Sequence, residues 1–235
     1  MKKTFIEFFL VRHGETDWNI TDRLQGQRDI PLNPTGCRQA QSVADRLSTT
    51  IIDGVYSSTL TRASKTAEIL RGTRSIPIQL VSDLQEVNHG DWEGRTKLEL
   101  QVTYPYEYNL WQQNPLACRK PNGETIEQLA VRAVRGWKTI VQESTVSGYQ
   151  RVLVVAHKVT IQTILCHIHG LELEHFWDFP QDNCAINIIH YRDGSPRLRT
   201  TNLNLWQLPP VGILGLPKSD LIAFGKSFQS IITSP

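Results

Sequence analysis

The sequence predicts a three-layer α/β/α sandwich built around a mostly parallel central sheet. Two apolar runs, residues 5–11 and 151–156, show little alternation of polar and apolar side chains, as strands covered on both faces do, and each runs directly into a polar residue. Helical segments with recognisable starts alternate with these runs, which is the pattern of an α/β fold. At 235 residues the chain is long enough to bury one sizeable core of this kind.

Each element has a local reason. Residues 5–11 make the first strand and leave Arg12 and His13 at its carboxyl end, the end where open α/β sheets bind ligands. Asn33-Pro34 is a good helix start, and Cys37, Ala40, Val43, Ala44 and Leu47 supply that helix with an apolar face. Residues 55–57 read as a strand, 60–71 as a helix stopped by Gly72, and 76–81 as another strand. Thr125-Ile126-Glu127-Gln128 matches a capping box and opens a long helix whose buried stripe is expected from Ile126, Leu129, Val131, Val134, Trp137 and Val141. Residues 151–156 end at His157, with a helix over about 159–169. Residues 185–191 and 198–205 flank Arg192-Asp193-Gly194-Ser195-Pro196 as strand, turn and strand.

The stretch 95–124 is the least regular and carries Tyr104, Tyr106, Tyr108 and Trp111. It reads as a lid over a pocket, with its aromatics weighted toward packing and Arg119 and Lys120 toward solvated surface. Residues 1–206 are taken as one domain and 207–235 as a C-terminal extension rich in proline, glycine and short apolar pieces. The extension either wraps the core or mediates homo-oligomer formation.

Chemistry concentrates in four segments. In Arg12-His13-Gly14-Glu15-Thr16, followed by Asn19, a planar cation suited to phosphate oxygens stands beside an imidazole whose lone pair can take a phosphoryl group. In Ser57-Ser58-Thr59-Leu60-Thr61-Arg62-Ala63, Arg62 falls in the opening turn of a helix, where backbone N–H groups favour an anion. Residues 84–94 bring the carboxylates Glu86 and Glu93 together with glycines and Trp92. Val155-Ala156-His157 ends a buried strand in the same topological manner as His13. Together these point to phosphoryl transfer through a phosphohistidine.

In this order the four segments resemble the histidine phosphatase superfamily, the phosphoglycerate mutase-like proteins, over roughly the first four-fifths of the chain. The resemblance implies a phosphoglycerate mutase-like fold. It implies that His13 is the nucleophile, that Arg12, Arg62 and His157 bind the transferring phosphoryl group, and that Glu86 is general acid and base. Asn19, Gln25 and Gly26 would complete the substrate contacts, and Glu93 would be structural. Lys158 departs from the family, which carries glycine or a small polar residue there. It is read either as favouring substrates with a second anionic group or as a solvent-facing lysine.

The same signature serves phosphatases and mutases. The segment 84–94 lacks the arginine-histidine-tyrosine-glycine pattern of cofactor-dependent mutases, so a metal-independent phosphatase is expected, acting on a small phosphorylated metabolite. Mutase-type transfer and a silent phosphate-binding module are the alternatives.

Composition agrees with a small-molecule enzyme. Lys and Arg total 25 against 23 Asp and Glu, a net charge of +2, with no basic excess that calls for nucleic acid or an anionic membrane. Glu7 interrupts the first apolar run, and no later one approaches the roughly 18 residues of a membrane span. A cytoplasmic, cofactor-free protein is expected. Cys37, Cys118, Cys166 and Cys184 are scattered without metal-type spacing and are read as reduced thiols, and Cys166-His167-Ile168-His169 as a helix end rather than a metal site.

Overall fold

The computed structural model describes residues 5–207. The proposed extension therefore lies outside the described residues except for Gln207, which closes a short helical turn at Leu205–Gln207. Six strands form one sheet: β1 (Phe5–Arg12), β2 (Gly54–Ser57), β3 (Ile78–Leu80), β4 (Arg151–Ala156), β5 (Ile186–Arg192) and β6 (Ser195–Leu203), in the spatial order β3-β2-β4-β1-β5-β6. The four strands from β3 to β1 are parallel, and β5 and β6 add an antiparallel edge. The helices are α1 (Asp17–Ile20), α2 (Pro34–Arg46), α3 (Thr61–Arg71), α4 (Lys97–Thr103), α5 (Pro105–Gln113), α6 (Ile126–Val146) and α7 (Lys158–His169).

The pleat of β1 explains the layers. Ile6, Phe8 and Leu10 face one side, where they join Trp137 of α6 and Ile161 and Leu165 of α7 in a buried core. Phe9 and Val11 face the other, against Ala40 and Val43 of α2 and Ala63 and Ala67 of α3. A strand segment covered on both faces has no position for a polar side chain, hence the apolar run Phe8–Val11, while Glu7 near the strand's start is partly exposed and paired with Arg151 and His190. Phe8 and Trp137 anchor the first core with ring centroids 4.8 Å apart.

Local signals act as read at several places. Asn33 accepts from Gly36 N–H at the start of α2, and Thr125 closes a reciprocal capping box with Gln128. Asp193 and Gly194, both at positive φ (48° and 87°), turn β5 into β6, the backbone that a two-residue hairpin with right-handed strands requires.

Other expectations need correction. Val131 is 69% exposed: the buried face of α6 runs instead through Ile126, Leu129, Ala133, Trp137 and Ile140, a row from which position 131 is rotated away. The strand expected over 76–81 shrinks to Ile78–Leu80, because β3 is an edge strand with one neighbour and Pro77 has no N–H to donate. The stretch 95–124 is largely helical, since Thr96 and Glu99 form a capping box for α4 and Pro105 occupies the first turn of α5.

Candidate active site

The parallel register brings the chemistry together. Arg12 pairs with Ala156 across β1 and β4, and Ser57 with Val155 across β2 and β4, so His13, Ser58 and His157 leave three adjacent strands at one level. His13 N–H donates to the Ala156 carbonyl and Ser58 N–H to the Val155 carbonyl, continuing the ladder one residue beyond the strands. The His13 and His157 rings lie with centroids 5.1 Å apart.

His13 is almost fully buried, and its Nδ1 lies 2.7 Å from the carbonyl oxygen of Gly14. A carbonyl only accepts, so Nδ1 carries the ring proton and Nε2 keeps its lone pair. Burial, then the charges of Arg62 and Arg12, hold the imidazole pKa well below its ordinary value, which keeps the ring neutral at pH 7. Burial likewise depresses His157, followed by Arg62, His13 and Arg12. His157 Nε2 is 2.8 Å from Ser58 Oγ, which itself accepts from Leu60 N–H. When the Ser58 hydroxyl donates to Nε2, the ring proton sits on Nδ1, a buried atom with no partner among the described residues.

Two guanidiniums are fixed by backbone carbonyls. Arg12 donates to the Gln181 carbonyl at 2.7 Å, and the Gln181 side chain is in turn held by buried Asn187. Arg62, fully buried on the first turn of α3, donates to the carbonyls of Arg28 (2.7 Å) and Gly26 (2.6 Å). Burial lowers the Arg62 pKa to about 10 and the nearby Glu86 opposes it, so the side chain remains a cation at neutral pH. The Nε atoms of Arg12 and Arg62 are buried without a partner among the described residues. Gly26 presents its carbonyl at a φ of +51°, and a Cβ there would lie 2.0 Å from a Glu93 carboxylate oxygen.

Glu86 sits at the amino end of α7. Its Oε1 accepts from the N–H groups of Val87 (3.0 Å) and Thr160 (3.2 Å), and its Oε2 from Val159 N–H (3.2 Å). The carboxylate thus caps a helix whose own N-cap residue, His157, makes no side-chain cap. Glu93 accepts from the N–H groups of Gln27 and His89 and holds the loop rather than facing the cavity.

A cavity of about 490 Å³ opens over this group. Its wall includes Arg12, His13, Gln25, Gly26, Arg62, Glu86 and Lys158. His157 stands just behind the wall, fully buried against His13. Asn19 lies elsewhere: its side-chain oxygen accepts from Thr16 N–H and from Asn183, closing the capping box of α1, and it does not line the cavity.

The structure also adds residues. Ser58 lay within a quoted motif without a role, and His89, Tyr108, Trp111 and Trp177 line the cavity. Ser58 was detectable from its place after a strand. Trp177 comes from a short helical turn at Leu173–Asp178, far along the chain from every motif, and nothing local marks it. Lys120, read as solvated surface, is buried with its ammonium 4.3 Å from the Trp111 ring centroid.

A family model for the histidine phosphatase superfamily, branch 1, matches residues 8–204. The chain belongs to that superfamily. Phosphoserine phosphatase 1 of Hydrogenobacter thermophilus is 31% identical over 188 residues, which cover 80% of this chain and 88% of that one. Phosphatase PhoE of Bacillus subtilis is 34% identical over 195 residues, 83% of this chain and 93% of that one. The crystal structure of the α-ribazole phosphatase from Shigella flexneri superposes with a TM-score of 0.77 at 27% identity, covering 89% of this chain and all of that one. This histidine phosphatase is accordingly a hydrolase with the phosphoglycerate mutase-like fold. Among the described residues, no helix is long and apolar enough to cross a membrane.

Proposed function

We propose that this histidine phosphatase hydrolyses a phosphate monoester of a small phosphorylated metabolite through a phosphohistidine on His13. The observation that carries the reading is the 2.7 Å contact of His13 Nδ1 with the Gly14 carbonyl, which fixes the tautomer and leaves Nε2 as a neutral nucleophile beside the buried guanidinium of Arg62 and the partly buried one of Arg12. The unpartnered donors Arg12 Nε, Arg62 Nε and His157 Nδ1 fit a group that brings only acceptor oxygens.

In the first step Nε2 attacks phosphorus and the bond from phosphorus to the ester oxygen breaks. The proton of the Glu86 carboxyl group passes to the leaving oxygen. In the second, Glu86 takes a proton from water, the water oxygen attacks phosphorus, and the bond between nitrogen and phosphorus breaks. Inorganic phosphate and neutral His13 result. Arg12, Arg62 and His157 hold the equatorial oxygens throughout, so positioning and fixed charge carry most of the rate. Gln25 and Gly26 shape the wall beside them.

The test is phosphate release from an aryl phosphate with EDTA present, by wild-type protein and by His13→Ala. Release by the wild type alone, with an acid-labile phosphoprotein trapped on rapid quenching, is the expected result. Equal release by both proteins overturns the assignment of His13.

A further inference from the structure

Away from the two histidines the cavity wall is strongly one-signed: Arg23, Lys97 and Lys158 join Arg12 and Arg62, against the single carboxylate Glu86. Most of these cations are already engaged. Arg23 donates to the Gly94 carbonyl at 2.6 Å and lies 3.5 Å from Glu99, and Lys97 is 2.6 Å from Asp22. Lys158 differs, because among the described residues its ammonium makes no hydrogen bond or ion pair and instead lies 5.5 Å from the centroid of the Trp177 ring.

That indole belongs to a pair. Trp177 and Trp111 meet edge to face with centroids 5.4 Å apart, and the second ring carries Lys120 at 4.3 Å. A wedge of two tryptophans thus bears a lysine on each ring, and the Lys158 stem starts beside His157, on the first residue of α7. Burial, then Arg12, lowers the Lys158 pKa, as expected of an ammonium that has lost water without gaining a counter-ion. An anion arriving with the substrate would remove that cost.

We infer that Lys158, held over Trp177, is the specificity-determining residue for a second anionic group, carboxylate or phosphate, on the leaving-group side of the substrate. The inference rests on the phosphatase reading above. It assigns the lysine a contact with the leaving group, not with the phosphoryl group that is transferred.

The experiment compares kcat/KM of wild type, Lys158→Met and Lys158→Arg on 3-phosphoglycerate, propane-1,3-diol bisphosphate and propyl phosphate. The wild type is expected to prefer a doubly anionic substrate. Lys158→Met should reduce that preference ratio by about 10- to 100-fold, the effect of losing one charge-assisted hydrogen bond, and Lys158→Arg should recover most of it. Whether the ratio falls for the carboxylate or for the bisphosphate identifies the anion. An unchanged ratio in Lys158→Met, or a wild type without preference, overturns the inference. Failure of the wild type to release phosphate from any of the three, or from an aryl phosphate, overturns the phosphatase reading itself.

Discussion

Replacing Glu86 with glutamine separates its cap on α7 from its proposed role as the acid. The carboxylate caps α7 through Val159 N–H on Oε2 and Thr160 N–H on Oε1, and also accepts from Val87 N–H. If the glutamine keeps its oxygen where Oε1 stands, its NH2 faces the Val159 N–H. One bond is lost and donor meets donor in a buried setting, at a cost of about 1–3 kcal/mol. The catalytic loss is separate: without a proton to give, the leaving oxygen departs as an anion, which costs about 10²–10⁴-fold in rate. Urea unfolding measures the first quantity. The second comes from kcat/KM, which reports formation of the phosphoenzyme alone, on a series of aryl phosphates of rising leaving-group pKa, with the loss growing along the series. A loss that is uniform across the series, or smaller than tenfold on the poorest leaving group, would refute Glu86 as the acid and leave it as a helix cap.

Two further outcomes follow from packing and burial. A Cβ on Gly36 would lie 2.2 Å from the Glu15 carbonyl oxygen, a backbone atom, so Gly36→Ala should push the Gly14–Glu15 turn off His13. Lower kcat together with a loss of about 1–3 kcal/mol in unfolding free energy is expected, and an unchanged kcat would show that activity does not depend on the turn holding His13. Stability should also fall in acid. His13, His89 and His157 have folded pKa values pushed well below about 6.5 by burial, so below that pH the unfolded chain takes up protons that the folded one refuses. This contribution is complete above about pH 6.5 and is lost as pH drops from there toward the depressed folded values. Urea unfolding at pH 7.5 and 5.5 tests it, and His89→Leu should flatten the dependence by up to about 1.4 kcal/mol per pH unit. An equal slope in that variant would place the effect elsewhere.

Much of the site was legible because its parts sit where local sequence is least ambiguous. His13, Arg62 and His157 follow apolar runs or open helices, and both positions are visible in a pattern of side chains alone. The capping box at Thr125 and the Asp193-Gly194 turn were legible for the same reason, since the backbone geometry they need is met within four residues. Val131 misled because several apolar residues on a long helix define more than one plausible stripe, and only the sheet beneath selects one. Lys120 misled because its exposure depends on Trp111, which reaches it from α5 while Lys120 lies in the irregular segment that follows.

By itself the sequence determined the alternation of strands and helices, the residues at the strand ends, and the chemistry those residues can perform, because periodicity, capping and side-chain type are local properties. Tertiary structure alone decided that the Gly14 carbonyl selects the tautomer of His13, that Ser58 meets His157, that Glu86 caps α7, that Asn19 is met by Asn183, and that Lys158 rests over Trp177. Except for the first, each is a contact set by strand register or packing. The first depends on a single rotamer that burial holds in place.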